Sequence, residues 1–570
     1  MISSGTRRVL AVAAAGALLG AGASVSFAAG REQGLGKIGH FVVIYQENHS
    51  FDNLFSEWEK VNGLAAYVPQ VDQRGERYSC LPQIDVNLRS PVPLPATCLD
   101  TRRNLASAFT NFPFPIEKYI QADDRTCPQP DERTPAGVEK GKGLPGGCTM
   151  DLDHRFYQEQ YQIDGGKMDR YVTGSNAAGL AVGYYRSREL PLYKYLHERN
   201  HPNYVIADNF FQAAFGGSFL NHQWLIAART PQWPNAVNDG KERDLHSVVD
   251  ANEMPKRTPL YQPVGEVKDG PLSASCQPGP GRPKTPAGVT CGDYAVNTIQ
   301  SASWPFDPSS KPEQRLPLLE TPTIGDRLTA AGIGWGWYSG GWADAEGATG
   351  QAGFTGGSGP VCGPGAIPGS IWPRCPDRLF QFHHQPFNYY AAYAPGTEAR
   401  REHLRDEEEF RKLVASSPKG GQCQLRAVSF VKPLGADNEH PGYASERNGN
   451  SHLVDLLRSI EKSACAADTM VIVTYDEFGG QADHVPPPSP TNPKGPYDQW
   501  GPGTRIPAVV IAPGLPYRFA VDHQEHDTTS ILTTVERRFG LAPLGPRDGA
   551  VEDLGSVYQA PRAEEQRRRR

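Results

Sequence analysis

The sequence predicts an α/β fold in which a mostly parallel central sheet is flanked by helices and carries long, disulfide-stapled loop insertions. Two observations support this prediction: short apolar, β-branched runs typical of buried strands, and helical segments that lie between several of them. Such alternation is typical of a parallel sheet covered on both faces. The predicted strands are residues 39–46, 204–211, 332–338, 427–431, 470–475 and 506–512. The predicted helices, with apolar residues at three- and four-residue spacing, are 323–331, 452–463 and 528–539.

Long stretches with little periodicity separate these elements. The chain has 570 residues with 60 Gly and 51 Pro, which favours one loop-rich domain with insertions over several equal modules. We expect a single domain at 29–548 and a flexible charged tail at 549–570. The expected surface insertions cover about 65–148, 228–318 and 344–378.

Residues 1–28 have the features of a cleavable export signal. Arg7 and Arg8 precede an apolar stretch at 9–27, and small residues suit cleavage after Ala28. The stretch is too short and too rich in alanine and glycine to favour a membrane anchor. Paired arginines are compatible with twin-arginine export, but they also occur in ordinary signals. We therefore expect a periplasmic or secreted bacterial protein without a stable membrane anchor.

Charge and cysteine content narrow the class of protein further. Loss of the two signal arginines from 57 basic residues leaves 55 against 63 acidic ones, a net charge near −8 that does not favour nucleic-acid binding. Ten cysteines form an even set that suits five disulfides in an oxidising compartment. A zinc site is the weaker alternative because no CxxC spacing occurs. Pairing of sequence neighbours gives Cys80–Cys98, Cys127–Cys148, Cys276–Cys291, Cys362–Cys375 and Cys423–Cys465.

Oxygen-bearing side chains follow two of the predicted strands. Glu47 and Asn48 come after the strand at 39–46, and Asp476 and Glu477 come after the strand at 470–475. Ligand sites in open α/β sheets collect at these strand ends. Adjacent carboxylates repel one another unless a cation or a shared proton relieves them, so together the four residues suit one divalent metal ion. For either pair alone, the alternative is a helix cap or a solvated turn.

A glycine pair precedes a candidate nucleophile at a predicted loop-to-helix junction. Gly216 and Gly217 let the backbone approach a ligand closely, and the start of a helix stabilises an anion. Ser218 is placed to attack a phosphate, and Asn221, one turn along, could hold a phosphoryl oxygen. Taken alone, Ser218 fits an ordinary N-cap better than a nucleophile.

Several histidines carry further candidate chemistry. Protonated imidazoles bind phosphoryl oxygens or give a proton to a departing alcohol. A satisfied structural role is the alternative for each of them. The candidates are His154, His383, His384 and His440.

These segments, in this order, resemble the motifs of the bacterial phosphoesterase family that contains phospholipase C enzymes and the acid phosphatase A type. The resemblance spans roughly residues 38–545. Several long motifs in one order are a strong signal. The matching segments are 47–52 (ENHSFD), 166–169 (GKMD), 438–442 (NEHPG), 476–488 (DEFGGQADHVPPP), 501–507 (GPGTRIP) and 526–532 (HDTTSIL).

The resemblance implies an alkaline-phosphatase-like core and a covalent phosphoenzyme on Ser218. It also implies a metal held by Glu47, Asn48, Asp476 and Glu477, and a phosphate surrounded by His154, Asn221, His383, His384 and His440. The identity of the metal stays open between Ca, Mg, Mn, Fe and Zn. One departure is His49 where the motif has arginine; if that arginine pairs with an acid, histidine makes the pairing depend on pH.

Serine at 218 and the segment 382–389 (FHHQPFNY) resemble the acid phosphatase branch more than the phospholipase branch. We therefore expect an exported acid phosphatase that hydrolyses small phosphate monoesters through a phosphoserine. One alternative is a phospholipase C that cleaves the glycerol-phosphate bond of phospholipids. A second alternative is an inactive secreted binding protein on the same fold.

Overall fold

A computed structural model of the chain describes residues 34–83, 94–128, 138–234, 248–249, 267–268, 294–306, 310–346 and 380–562. Its centre is an eight-stranded sheet. In chain order the strands are β1 (His40–Gln46), β2 (Tyr204–Ala207), β3 (Trp335–Ser339), β4 (Leu404–Asp406), β5 (Val428–Lys432), β6 (Thr469–Tyr475), β7 (Ala508–Ile511) and β8 (Phe519–Asp522). Their spatial order is β4-β3-β5-β1-β6-β7-β2-β8.

The sheet is mostly parallel, as predicted. Only β7 runs antiparallel to its neighbours β6 and β2 within this sheet. The side chains of β1 from Phe41 to Tyr45 are fully buried, and burying each large apolar side chain contributes about 1.5–3 kcal/mol. Helices flank the sheet: α1 (Phe51–Phe55), α2 (Phe156–Ile163), α3 (Pro191–Leu196), α4 (Ser218–Ala227), α5 (Ile324–Ala330), α6 (Trp342–Glu346), α7 (Glu398–His403), α8 (Glu407–Ala415), α9 (Glu446–Lys462) and α10 (Thr529–Phe539).

Every predicted strand overlaps an observed strand, with ends that differ by up to three residues, but the run at 204–211 divides into two. Its second part, Phe210–Phe211, leaves the central sheet and pairs with His526–Asp527. The two strands of the central sheet that the sequence did not predict, β4 and β8, lie at its two edges. Each has only three or four residues and ends in an aspartate, so neither forms an apolar run.

The predicted helices are also present, with one early start. Thr323 caps α5 and exchanges hydrogen bonds with Asp326. Helix α9 begins at Glu446, well before the predicted 452, because its first turns bury polar side chains and so lack apolar periodicity. Among these, Asn450 accepts a hydrogen bond from Leu192 N at 2.6 Å.

Disulfides join three pairs of sequence neighbours in the described residues. The pairs Cys80–Cys98, Cys127–Cys148 and Cys423–Cys465 match the predicted pairing. The predicted pairs Cys276–Cys291 and Cys362–Cys375 lie outside the described residues, as do the predicted signal at 1–28 and the end of the tail. Across the part of the chain that the structure covers, no helix is both long and apolar enough to span a bilayer.

Short two-stranded ladders and 3-10 turns fill the described part of the first insertion. Two ladders there join Cys98–Asp100 to Leu105–Ser107 and Arg125–Cys127 to Leu144–Pro145. Three further ladders join Phe114–Pro115 to Gly183–Tyr184, Gln300–Ser301 to Arg315–Leu316, and Val248–Val249 to Val267–Lys268.

Candidate active site

The two predicted carboxylate pairs converge at the carboxyl ends of β1 and β6. These strands are parallel neighbours, and Gln46 pairs with Tyr475. The residues that follow, Glu47 and Asp476, therefore leave the sheet side by side. Asn48 N donates a hydrogen bond to Asp476 Oδ1 at 3.0 Å, which ties the two strand ends together. The four predicted ligands, Glu47, Asn48, Asp476 and Glu477, are fully buried.

Close contact of two backbones explains a glycine in the second motif. Asn48 adopts a left-handed conformation with φ 60°. Gly479 has φ 62°, and a Cβ there would lie 2.1 Å from Asn48 O. Only glycine fits this position without displacing the Asn48 backbone.

The electrostatics of this cluster fit a divalent cation. Burial and the neighbouring carboxylates raise the pKa of Asp476 and of Glu477 well above their ordinary values. Asp476 Oδ2 and Glu477 Oε1 are buried and accept no hydrogen bond from the described residues. Leaving buried carboxylate oxygens unpaired costs free energy, and a hard metal ion would supply the positive charge that pairs with them. The donor set of three carboxylates and one amide therefore suits such an ion.

Ser218 lies directly beside this cluster. It is the first residue of α4, and Gly217 is the N-cap, so the alternative of a capping serine is wrong. The Ser218 hydroxyl donates to Glu47 Oε2 at 3.0 Å and lies 3.5 Å from Asn48 Oδ1. Gly216 before it has φ 89°, and a Cβ there would lie 2.8 Å from the Phe156 backbone nitrogen. The glycine thus permits the tight loop that presents the serine.

Asn221 contacts the loop instead of the open side of the site. Its Oδ1 accepts from Ala214 N at 3.0 Å, and its Nδ2 donates to Ala214 O at 3.0 Å and to Gly216 O at 3.1 Å. These contacts use the amide on backbone groups. The amide therefore fixes the loop that carries Ser218, and the expectation that Asn221 also holds a phosphoryl oxygen stays a prediction.

Glu159, which sequence reasoning missed, braces the same loop. Its carboxylate accepts from Gly216 N and from Thr504 N, both at 2.6 Å, and from Gln212 Nε2 at 2.9 Å. Burial raises the pKa of Glu159 to about 8. It lies in an otherwise ordinary helix, α2, so no sequence motif marks it.

His154 and His440 both lie beside the side-chain amide of Asn48. Their Nδ1 atoms face backbone carbonyls, at 2.5 Å from Leu152 O and 2.6 Å from Pro441 O. A carbonyl only accepts, so Nδ1 carries the proton in the neutral ring and Nε2 has a free lone pair. The Asn48 amide lies 3.4 Å from His154 Nε2 and 3.1 Å from His440 Nε2.

The tandem histidines lie on a 3-10 helix, Phe382–His384, against Glu47. His384 Nε2 is 3.0 Å from Glu47 Oε1, whereas the half-buried His383 packs beside it with ring centroids 4.6 Å apart. Burial lowers the pKa of His384 well below its ordinary value and also lowers that of His440. Burial therefore opposes the imidazolium form that the sequence led us to expect at both rings, whereas the carboxylate of Glu47 favours that form at His384.

Two further residues of the cluster were missed, His222 and Lys432. His222 stacks on His384 with ring centroids 5.1 Å apart and lies 3.9 Å from both Glu47 Oε1 and Asp476 Oδ2. The signal was its place one helical turn after Ser218. The fully buried Lys432 ends β5 and forms an ion pair with Glu47. The sequence signal for Lys432 was its place at the end of an apolar strand. Burial opposes ionisation of Glu47, but His384 and Lys432 hold its pKa well below the ordinary value.

His49, where the motif has arginine, does not pair with an acid. Its Nδ1 lies 2.6 Å from Asn53 Oδ1, and its Nε2 lies 3.0 Å from the backbone oxygen of Glu439. Burial lowers the pKa of His49 to about 4. The pH-dependent acid pairing considered from the sequence is therefore absent at this described position.

A buried arginine joins three of the sequence motifs. Arg505 Nη2 donates to Asp52 Oδ1 at 3.0 Å, and its Nε donates to Asp483 Oδ1 at 3.1 Å. His484 Nδ1 lies 2.6 Å from Asp52 Oδ2. The network thus ties together the segments that follow Glu47 and Glu477 in the chain.

Comparison with known proteins agrees with these motifs. The Mycobacterium tuberculosis protein named Phospholipase C A is 22% identical over 559 residues, which cover 91% of this chain and 77% of the relative. Phospholipase C B of the same species is 33% identical over 159 residues, which cover 24% of this chain and only 30% of the relative. Non-specific phospholipase C6 of Arabidopsis thaliana is 27% identical over 157 residues, with the same two shares.

The sequence profile of the Phosphoesterase family matches residues 38–542, which include every candidate site residue described above. The match covers most of the chain and runs across all eight strands of the central sheet. The chain therefore belongs to the Phosphoesterase family.

Proposed function

We propose that this protein hydrolyses phosphate esters through a covalent phosphoserine on Ser218. The observation that carries the proposal is the Ser218 hydroxyl, 3.0 Å from Glu47 at the start of a helix and beside carboxylates with unpaired oxygens. A helix start favours the negative charge of a phosphoryl group. The fold we propose for the core is of the alkaline-phosphatase type; the motif resemblance supports it, as does a mostly parallel sheet with the site at the ends of its strands.

Glu47, Asn48, Asp476 and Glu477 would hold one divalent ion, whose positive charge would stabilise the ionised serine and the phosphoryl oxygens. Ca, Mg, Mn, Fe and Zn all remain candidates for it. Asn221 and Glu159 position the serine through the Gly216 backbone.

In the first chemical step, Ser218 Oγ, whose hydroxyl proton has passed to solvent, forms a bond to phosphorus while the bond from phosphorus to the leaving alcohol breaks. The negative charge of a bound phosphoryl group favours protonation of the nearby imidazoles, so His154 and His440 become donors to its oxygens. His384 lies in the same cluster, and the more accessible His383 gives the leaving alcohol its proton. In the second step water attacks phosphorus and passes one proton to His383, and the bond from phosphorus to Ser218 Oγ breaks to release phosphate and the ionised serine.

Two substrate classes are supported by different observations. Serine at 218 and the 382–389 segment favour a phosphate monoester, and hence an acid phosphatase. The names of the relatives favour a phospholipase C, which would cleave a phospholipid at the glycerol-phosphate bond. We rank the monoester first because Ser218 is buried, and a small phosphate monoester reaches a buried serine more easily than a phospholipid does.

Ser218→Ala tests the nucleophile. We expect turnover to be lost while the metal content is retained, because the serine hydroxyl is absent but the four ligands remain. Release of product from p-nitrophenyl phosphate and from phosphatidylcholine, across pH and with or without chelator, measures both activity and substrate class. A variant that keeps most of its rate would refute the nucleophile, a preference for the choline lipid would reverse our ranking, and inactivity of the native protein on all esters would favour a binding protein.

We also propose that the protein acts outside the cytoplasm, in the periplasm or after secretion. The three disulfides are typical of proteins that fold in an oxidising compartment. The features of residues 1–28 support export, and twin-arginine export is one candidate route.

A further inference from the structure

A lysine inside the carboxylate cluster has no part in the chemistry proposed above. Lys432 is the last residue of β5, which lies next to β1 in the sheet, and its side chain is fully buried. The ammonium donates to Glu47 Oε1, to Tyr45 O at 3.0 Å and to Gln46 O at 3.4 Å. Its three protons thus all have acceptors, and the ammonium is fixed at the end of β1.

The two oxygens of Glu47 serve different sides of the site. Glu47 Oε2 accepts the Ser218 hydroxyl at 3.0 Å, on the side of the predicted metal ligands. Glu47 Oε1 faces Lys432, and His384 Nε2 and His222 Nε2 lie 3.0 and 3.9 Å from it.

The side that Glu47 Oε1 faces, which we call the second side, has the composition of a metal site. Ligand atoms of Glu47, His222 and His384 all lie within 4.8 Å of one another, and all three side chains are buried. Hydrolases with two metal ions hold them about 3.5–4 Å apart, with ligands shared between the two. A carboxylate with one oxygen on each side is the usual shared ligand of such a pair, but here the ammonium of Lys432 bonds the oxygen on the second side.

Charge balance agrees with this geometry. The carboxylates of Glu47, Asp476 and Glu477 carry three negative charges when ionised, and Lys432 supplies one positive charge. The remaining charge equals that of one divalent ion. A second divalent ion would leave the buried cluster positive and would lie close to the ammonium, which is unfavourable at low dielectric.

We propose that Lys432 is a fixed cation that stands in for a second metal ion and so limits this site to one divalent ion. The proposal rests on the metal site of the proposed function. Lys432 is a positioning residue: it holds Glu47 and neutralises it without offering the Lewis acidity of a metal.

Mn²⁺ binding to the metal-stripped, full-length protein tests this role without reference to turnover. Calorimetry counts the ions, and electron paramagnetic resonance separates an isolated Mn²⁺ from an exchange-coupled pair. We expect one isolated ion in the native protein. Lys432→Met removes the charge and frees Glu47 Oε1, His222 and His384, so we expect two coupled ions. Lys462→Met, at the exposed end of α9, removes the same charge elsewhere and should leave one isolated ion.

Lys432→Gln provides a second variant because its amide can still donate to Tyr45 O, and we expect two coupled ions again. Two coupled ions in the native protein would overturn the proposal even if neither variant folds. A single isolated ion in both folded variants would overturn it while leaving the metal site of the proposed function intact. Failure of the native protein to bind Mn²⁺ would instead contradict that metal site itself, and the proposal with it.

Discussion

The amide of Asn221 and the carboxylate of Glu159 hold the loop that precedes Ser218. Both side chains are fully buried, and both bond the backbone of Gly216. Because a buried donor or acceptor left without a partner costs about 1–3 kcal/mol, each of these contacts restricts the loop. The position of the nucleophile therefore depends on side chains that need not touch the substrate.

Asn221→Ala should lower kcat by about 100-fold with little change in KM, because the serine loses its fixed position while the binding groups remain. Unfolding free energy should fall by about 2–3 kcal/mol. Steady-state kinetics and urea denaturation measure the two effects. Asn221→Asp should be at least as damaging because its carboxylate would face the carbonyl oxygens of Ala214 and Gly216. A raised KM with unchanged kcat would instead indicate direct contact with the substrate.

Sequence patterns predicted which residue types gather here, but not how each one is used. Glu47 and Asp476 were predictable because polar residues after buried parallel strands meet at one sheet edge. The contacts of Asn221 were not, because an asparagine after a glycine pair is compatible with holding either a ligand or a loop. Lys432 and His222 were missed although each had a weak local signal, because a lysine at a strand end or a histidine one turn after a serine is also common at structural positions.

At the level of secondary structure, the Arg505 network fixes the ends of several elements. The guanidinium is fully buried between Asp52 on α1 and Asp483 beyond β6. It also donates to the backbone oxygens of Asn62 and Asp208 at 2.9 and 2.8 Å. A charge bonded on this many sides holds the loops after β1, β2 and β6 in one arrangement.

Arg505→Met should destabilise the protein by about 3–5 kcal/mol, because it leaves two buried carboxylates without their cation. Urea denaturation followed by circular dichroism gives this difference. The matched control is Arg518→Met on an exposed arginine, which should change stability by no more than about 0.5 kcal/mol. Equal effects of the two substitutions would mean that the buried network does not hold these loops.

Helix α9 starts with a buried carboxyl that makes stability depend on pH. Burial raises the pKa of Glu446 to about 8, from an ordinary value of 4.5. Below the ordinary value both the folded and the unfolded chains are protonated at this residue. Between the two values only the unfolded chain ionises, so stability falls as pH rises and stops falling above about 8.

Glu446→Gln should therefore reduce the decline of Tm between about pH 5 and 8, leaving the part that the buried Glu159 contributes, and it should raise Tm by a few degrees at the upper end. Differential scanning calorimetry at several pH values measures the slope. Asp455→Asn, at an exposed position of the same helix, should leave the slope as it is in the native protein. An unchanged slope in Glu446→Gln would show that another group controls this pH range.

In the molecule as a whole, the parallel sheet brings distant segments to one edge. Glu47, Ser218, His384 and Asp476 are far apart along the chain, yet contacts of 3.0 Å join Glu47 both to Ser218 and to His384. The order of strands and helices was predictable because the apolar pattern of each long run is typical of either a buried strand or a helix. The edge strands, the split of 204–211 and the early start of α9 were not, since short strands and buried polar turns lack that pattern.

The central claim is that Ser218 becomes covalently phosphorylated during hydrolysis. Acid quenching during turnover of p-nitrophenyl phosphate, followed by mass spectrometry of the peptides, tests it most directly. We predict a phosphoryl group on Ser218 that is absent from Ser218→Ala. A phosphoryl group on another side chain, or full turnover with Ser218 unmodified under the same quench, would contradict the proposed mechanism.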